Sequence, residues 1–185
     1  KVSAIEKVIL FGDSLMAGYG LPNEQHLSVV LQNSLELEGH NIQIINGSVS
    51  GSTSAGGLNI AEWTLSENNI DLMILCLGAN DMLRGINPKE TKNNLEEIIE
   101  IAKNKNIKVI IAGMIAPTSY GFAYKKSFDK IFSDLSKKHK LQLIPFLLEG
   151  VAQKPEFNLS DGMHPNDQGT IIIGNTLKKA ILKNL

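Results

Sequence analysis

Val8-Ile9-Leu10-Phe11-Gly12-Asp13-Ser14-Leu15 is the stretch that decides the architecture. Its first four residues are apolar without alternation, the pattern of a strand buried on both faces. A glycine and a carboxylate break the run, and a serine follows where the chain leaves the strand. Similar runs, rich in Val, Ile and Leu, bring the set to about residues 7–11, 42–46, 71–77, 108–115 and 141–144. Between them the apolar spacing turns helical. Leu27, Val30, Leu31 and Leu35 fall on one face, as do Leu95, Ile98, Ile99 and Ala102, and again Phe128, Ile131, Phe132 and Leu135. Asn87-Pro88 opens the second of these helices as cap and first-turn proline. A last helix is expected over about 168–183, with Ile172, Ile173, Leu177, Ala180 and Ile181 on its apolar side. The segment 55–67 reads as a weaker helix because Gly56 and Gly57 interrupt its start.

Strands alternating with helices predict a parallel sheet covered on both faces. With right-handed crossovers this is an α/β fold, a three-layer α/β/α sandwich on a five-stranded parallel sheet. No repeat, linker or low-complexity tract divides the chain, so one domain over residues 1–185 is expected. The irregular stretch 150–167 is long for such a domain, and loops of that length are often functional.

Composition excludes several classes. A net charge of −1 gives no global attraction to nucleic acid or an anionic membrane. The lone Cys76 rules out an intramolecular disulfide and any multi-cysteine metal site, and its apolar neighbours predict a buried core thiol. The run from Val109 to Ala116 is too short to span a bilayer. Lys1 stands where a methionine would start a nascent chain, as in a processed or trimmed product, and localisation stays open. His-Glu-x-x-His, Walker A and dinucleotide signatures are absent, so neither a metal nor any other cofactor is expected. The absence of Gly-x-Ser-x-Gly removes the main support for a nucleophile-elbow α/β-hydrolase.

In open parallel sheets, ligands gather beyond the carboxyl ends of the strands. Ser14 follows the first strand, Gly51 lies in the loop after the second and Asn80 follows the third, so all three face one rim. Asp161-Gly162-Met163-His164-Pro165 lies just before the final helix and can close over that rim. Ser14, His164 and Asp161 are the residue types that nucleophilic acyl transfer needs: a hydroxyl, a base for its proton, and a carboxylate to fix the base's tautomer. Each also has a plain structural reading. Ser14 serves equally well as a helix cap, Asp13 as a cap or ion-pair partner, Gly51 as a flexible turn and Asn80 as a cap. His26, His40 and His139 read as surface histidines. The sharper reading of Gly51 is a backbone N–H offered where a side chain would obstruct approach. For Asn80 it is an amide that donates to a developing oxyanion.

The blocks Gly12-Asp13-Ser14-Leu15, Gly51, Gly78-Ala79-Asn80-Asp81 and Asp161-Gly162-Met163-His164-Pro165 resemble, in order, the four blocks of the GDSL, or SGNH, hydrolase family. Gly12 to Tyr19, Leu77 to Gly85, Pro117 to Tyr124 and Asp161 to Asn166 are similar to its bacterial thioesterase I, lysophospholipase L1 and arylesterase branch. Ala79 stands where a second glycine is common in that branch. The resemblance implies Ser14 as nucleophile, His164 as base, Asp161 as its orienting acid, and an oxyanion hole from Ser14 N–H, Gly51 N–H and the Asn80 side chain. It implies a cofactor-independent hydrolase of carboxylic esters or thioesters (aryl or acyl esters, acyl-CoA, lysophospholipid), acting as a monomer on a small acyl substrate. A periplasmic or secreted location goes with a removed signal peptide, a cytoplasmic one otherwise. Leu15, Met82, Ile115 and Met163 are expected along an acyl groove. The same blocks serve carbohydrate O-acetylesterases, and the fold alone would also suit a non-catalytic flavodoxin-like binding domain. The segment 78–86, glycine at each end of its turn, is either a lid or a loop held rigid by Asp81 and Arg84.

Overall fold

A computed structural model describes residues 5–67 and 69–185. Five strands form one parallel sheet: β1 (Lys7–Gly12), β2 (Gln43–Asn46), β3 (Leu72–Cys76), β4 (Lys108–Ala112) and β5 (Gln142–Ile144), in the order β2-β1-β3-β4-β5. β1 is the hinge of this order. It pairs through Val8 with Ile44 on one side and Leu72 on the other.

The helices are α1 (Ser14–Ala17), α2 (Leu27–Leu37), α3 (Ser54–Ser66), α4 (Ala79–Leu83), α5 (Pro88–Asn104), α6 (Phe122–His139) and α7 (Asp167–Leu182). The step from β1 to β2 runs one way across the sheet and every later step runs the other way. Right-handed crossovers therefore put α2 on one face and α3, α5 and α6 on the opposite one. α7 packs on α2, while α5 packs between α3 and α6.

Burial on both faces, expected for all five runs, holds for β1, β3 and β4 but not for β2 and β5, which are edge strands and only partly covered. The fourth run also stops short. β4 ends at Ala112: Gly113 N–H still donates to Ile144 O at 2.8 Å, but its carbonyl accepts from Leu147 N–H beyond the end of β5, and a Cβ there would lie 2.4 Å from Pro145 O. Residues 113–117 thus join the loops at the carboxyl edge. The glycines that weakened the α3 reading have a packing role. Thr53 caps α3 by accepting from Gly56 N–H, and Gly57 faces the sheet, where a Cβ would lie 2.4 Å from Leu77 Cδ1 and 3.3 Å from Phe11 Cε1. α5 opens on Asn87-Pro88 as read, with Asn87 accepting from Lys89 N–H.

The order reverses between β1 and β3, and the two loops leaving their carboxyl ends part there to opposite faces of the sheet. In doubly wound sheets that crevice is where ligands bind.

Candidate active site

β1 delivers Asp13 and Ser14 into the crevice. Asp13, not Ser14, caps α1: its Oδ1 accepts Leu15 N–H at 3.0 Å. The Ser14 hydroxyl is therefore left to the imidazole of His164, with Oγ 3.0 Å from Nε2. The other ring nitrogen, Nδ1, lies 2.6 Å from Asp161 Oδ2. An ionised carboxylate only accepts, so Nδ1 carries the proton and Nε2 presents its lone pair to the serine.

The loop before α7 is built to hold this geometry. Asp161 Oδ1 accepts the backbone N–H groups of Met163 and His164 at 2.8 and 3.0 Å, wrapping the carboxylate around the residue it must orient. These donors, the His164 backbone and ring first and Met163 after them, hold the Asp161 carboxyl down at about 2. An antiparallel bridge between Asn158 and Pro165, with Leu159 N–H donating to His164 O at 2.7 Å, closes the loop on itself. Asn166 then caps α7 by accepting from Gly169 N–H.

Tyr19, to which the sequence reading gave no role, lies on the imidazole, with ring centroids 4.3 Å apart and planes tilted by 35°. It limits rotation of the ring and shields one of its faces. Its sequence signal is an aromatic between two glycines, Gly18 and Gly20, just past the serine.

The loops after β1, β2 and β3 are tied together. Val49 N–H donates to Gly12 O at 3.0 Å, fixing the second loop to the end of β1. Ser52 N–H donates to Val49 O, closing a turn in which Gly51 has φ +80°. A Cβ on Gly51 would meet nothing within 4 Å. The positive φ, rather than crowding, is what favours glycine there. Asn80, in α4, donates one Nδ2 hydrogen to Ser52 O at 3.0 Å, which fixes the amide and leaves its second N–H to point elsewhere.

Asp81 anchors this corner. Fully buried, it accepts from Ser54 N–H (2.7 Å), Ser54 Oγ–H and Thr91 Oγ1–H (2.8 Å), and Asn94 in turn donates to Ser54 Oγ. One carboxylate thus joins α4 to the first turns of α3 and α5. Tyr124 adds a hydrogen bond to Ile86 O. Of the two readings of residues 78–86, this network supports the held loop, with a correction: Asp81 does the holding, while Arg84 is exposed and its side chain has no hydrogen-bond partner among the described residues.

Of the apolar residues expected along a groove, Ile115 and Met163 are about half exposed and Leu15 is partly buried against the core. Met82 is only 7% exposed and packs inward; its neighbour Leu83 takes the outward position. Tyr19 and Val49 expose further apolar surface on the same set of loops. Two of the other three histidines, His26 and His139, are not plain surface residues. His26 packs beneath Gly18 and hydrogen-bonds Leu21 O, and His139 Nε2 lies 2.8 Å from Glu96 Oε1. Glu96, Glu100 and His139 are the one group among the described residues able to converge on a metal ion. It sits where α6 ends, at the opposite edge of the sheet, and Glu96 is already paired with Lys138.

The sequence pattern of the GDSL-like lipase/acylhydrolase family matches residues 10–170. The chain belongs to that family. It is 36% identical to an arylesterase of Vibrio mimicus over 182 residues, covering 98% of this chain and 91% of the relative. It is 29% identical to the thioesterase 1/protease 1/lysophospholipase L1 of Escherichia coli over 181 residues, covering 98% and 86%. The crystal structure of the psychrotrophic esterase EstA from Pseudoalteromonas sp., inhibited by monoethylphosphonate, superposes with a TM-score of 0.92 at 30% identity, covering 96% of this chain and 97% of that one. The five-stranded parallel sheet with its covering helices is the fold this chain shares with that esterase structure.

Proposed function

We propose that the chain hydrolyses carboxylic esters or thioesters through an acyl-enzyme on Ser14. The observation that carries this is the continuous relay from Ser14 Oγ through His164 to Asp161, at 3.0 and 2.6 Å. Ser14 Oγ attacks the acyl carbonyl carbon as its proton passes to His164 Nε2, and Asp161 stabilises the imidazolium that results. The negative charge developing on the carbonyl oxygen is met by Ser14 N–H, Gly51 N–H and the free N–H of the Asn80 amide. Collapse of the tetrahedral intermediate expels the alcohol or thiol, which takes its proton from His164. His164 then deprotonates a water that attacks the acyl-enzyme, and the carboxylic acid leaves. Preorganised donors of this kind are often the largest single contribution to such a reaction. Arylesterase and thioesterase relatives support both leaving-group classes. The half-exposed Ile115, Met163 and Leu83 at the rim suit acyl groups longer than acetyl.

The test is Ser14→Ala with a fluorophosphonate label. The native chain should be labelled at Ser14 and should hydrolyse p-nitrophenyl esters, and the variant should do neither. Retention of a tenth of the native rate in clean protein would refute the assignment. A chain-length series run beside acyl-CoA and a lysophospholipid names the acyl donor. Activity confined to acetyl esters would point to an O-acetylesterase.

A further inference from the structure

Two carboxylates lie buried at the carboxyl edge of the sheet, and they are satisfied very differently. Asp81 accepts three hydrogen bonds. Asp13 is 1% exposed, yet only its Oδ1 has a partner; Oδ2 is the one fully buried side-chain polar atom among the described residues with no hydrogen bond at all. A capping role does not explain this. Serine, threonine or asparagine would accept the same Leu15 N–H without burying a charge. A half-satisfied buried carboxylate is costly, and such a cost next to a nucleophile calls for a reason in the chemistry.

We propose that Asp13 is a positioning residue for this hydrolysis: Oδ1 fixes the first turn of α1, and with it the Ser14 N–H, while the buried charge of the carboxylate supports the imidazolium of His164. The proposal rests on the reading of Ser14 and His164 given above.

The groups around Asp13 can be named element by element. Cys76 faces it from the end of β3, and its thiol is pushed up by burial and by Asp13. Asp81, on α4, and His164, on the loop before α7, act on it through their charges. Burial lifts the Asp13 carboxyl to about 6, with His164 and the Leu15 N–H pulling the other way. It is therefore ionised at pH 7 to 8. Around His164 itself stand Asp161, Ser14 and Tyr19. In so dry a place a charge is weakly screened. An anion there stabilises the transition states in which His164 is charged.

This ties the rate to the charge of Asp13. Removing the anion should lower kcat/KM above a pH of about 6, where Asp13 is ionised in the native chain, and change it little below, where Asp13 is itself protonated. The experiment is kcat/KM for an uncharged p-nitrophenyl ester between pH 5 and pH 9, on the native chain, Asp13→Asn and Asp13→Ser. Both variants keep a capping oxygen and discard the charge. The expected result is a native chain roughly tenfold faster than both variants at pH 8, an advantage that shrinks toward none at pH 5, with secondary structure intact by circular dichroism. A native-to-variant ratio that is the same at pH 5 and pH 9 overturns the proposal, because the loss would then not follow the charge of Asp13. Failure of both variants to fold overturns it too, because Asp13 would then serve the fold alone. If the native chain is not labelled by fluorophosphonate at Ser14, the hydrolase reading fails instead, so the two failures are distinguishable.

Discussion

Asp13→Asn should stabilise the protein at pH 8 relative to pH 4, measured against the native chain at each pH. Burial lifts the Asp13 carboxyl from its ordinary 3.8 to about 6. A raised acid favours the folded state only while it is protonated. The penalty is absent below pH 3.8, grows as the pH rises, and is complete above about 6. Fully developed it amounts to about 3 kcal/mol, of which roughly 2 kcal/mol appears between pH 4 and pH 8. Asparagine keeps the oxygen that caps Leu15 N–H but sets an amide where Oδ2 lies unpartnered. A buried donor without a partner costs about 1–3 kcal/mol, and that cost does not depend on pH. The pH-dependent difference therefore isolates the charge. Urea unfolding of both proteins at pH 4 and pH 8 reads it directly. For a chain of this length a gain of 2 kcal/mol also raises Tm by roughly 4–8 °C. If the stability difference between the two proteins is the same at both pH values, Asp13 is not a buried anion at pH 8. The argument about its role at His164 would fall with it. Success together with the expected loss of rate would make Asp13 a site where stability is given up for activity.

Two further outcomes test the corner that holds Asn80. Asn80→Ala should lower kcat by about 10²–10³ with little change in KM, since its free N–H meets charge present only in the transition state; a loss carried mainly by KM would instead make it a ground-state binder. Asp81→Asn should destabilise the fold by about 3 kcal/mol in thermal or urea unfolding, because an amide cannot accept from Ser54 N–H, Ser54 Oγ–H and Thr91 Oγ1–H together. It should also lower kcat through misplacement of Asn80, and unchanged stability would show that the network does not anchor the loop.

Local order was open to reading wherever neighbours in sequence are the cause. Unbroken apolar runs marked β1 and β3 because both are covered on two faces, and Asn87-Pro88 marked α5 because capping is local chemistry. Asp161 and His164 could be paired on paper, since three residues of chain bring carboxylate to imidazole. The order of strands and helices placed Ser14 and Asn80 on one rim by topology alone.

What lay beyond the sequence depends on atoms far apart along it. The hydrogen bond from Ser14 to His164 spans 150 residues and exists only because the loop before α7 folds back over the β1 rim. The glycines of α3 looked like interruptions until Leu77 and Phe11 came up against Gly57. Met82 and Leu83 are equally apolar on paper, and only the packing of α4 turned one inward and the other out. Asp13 is the sharpest case. That it could cap a helix is written in its side chain and its place after the strand. That its second oxygen would be shut away from every donor is a property of the closed core around it, and no local pattern records it.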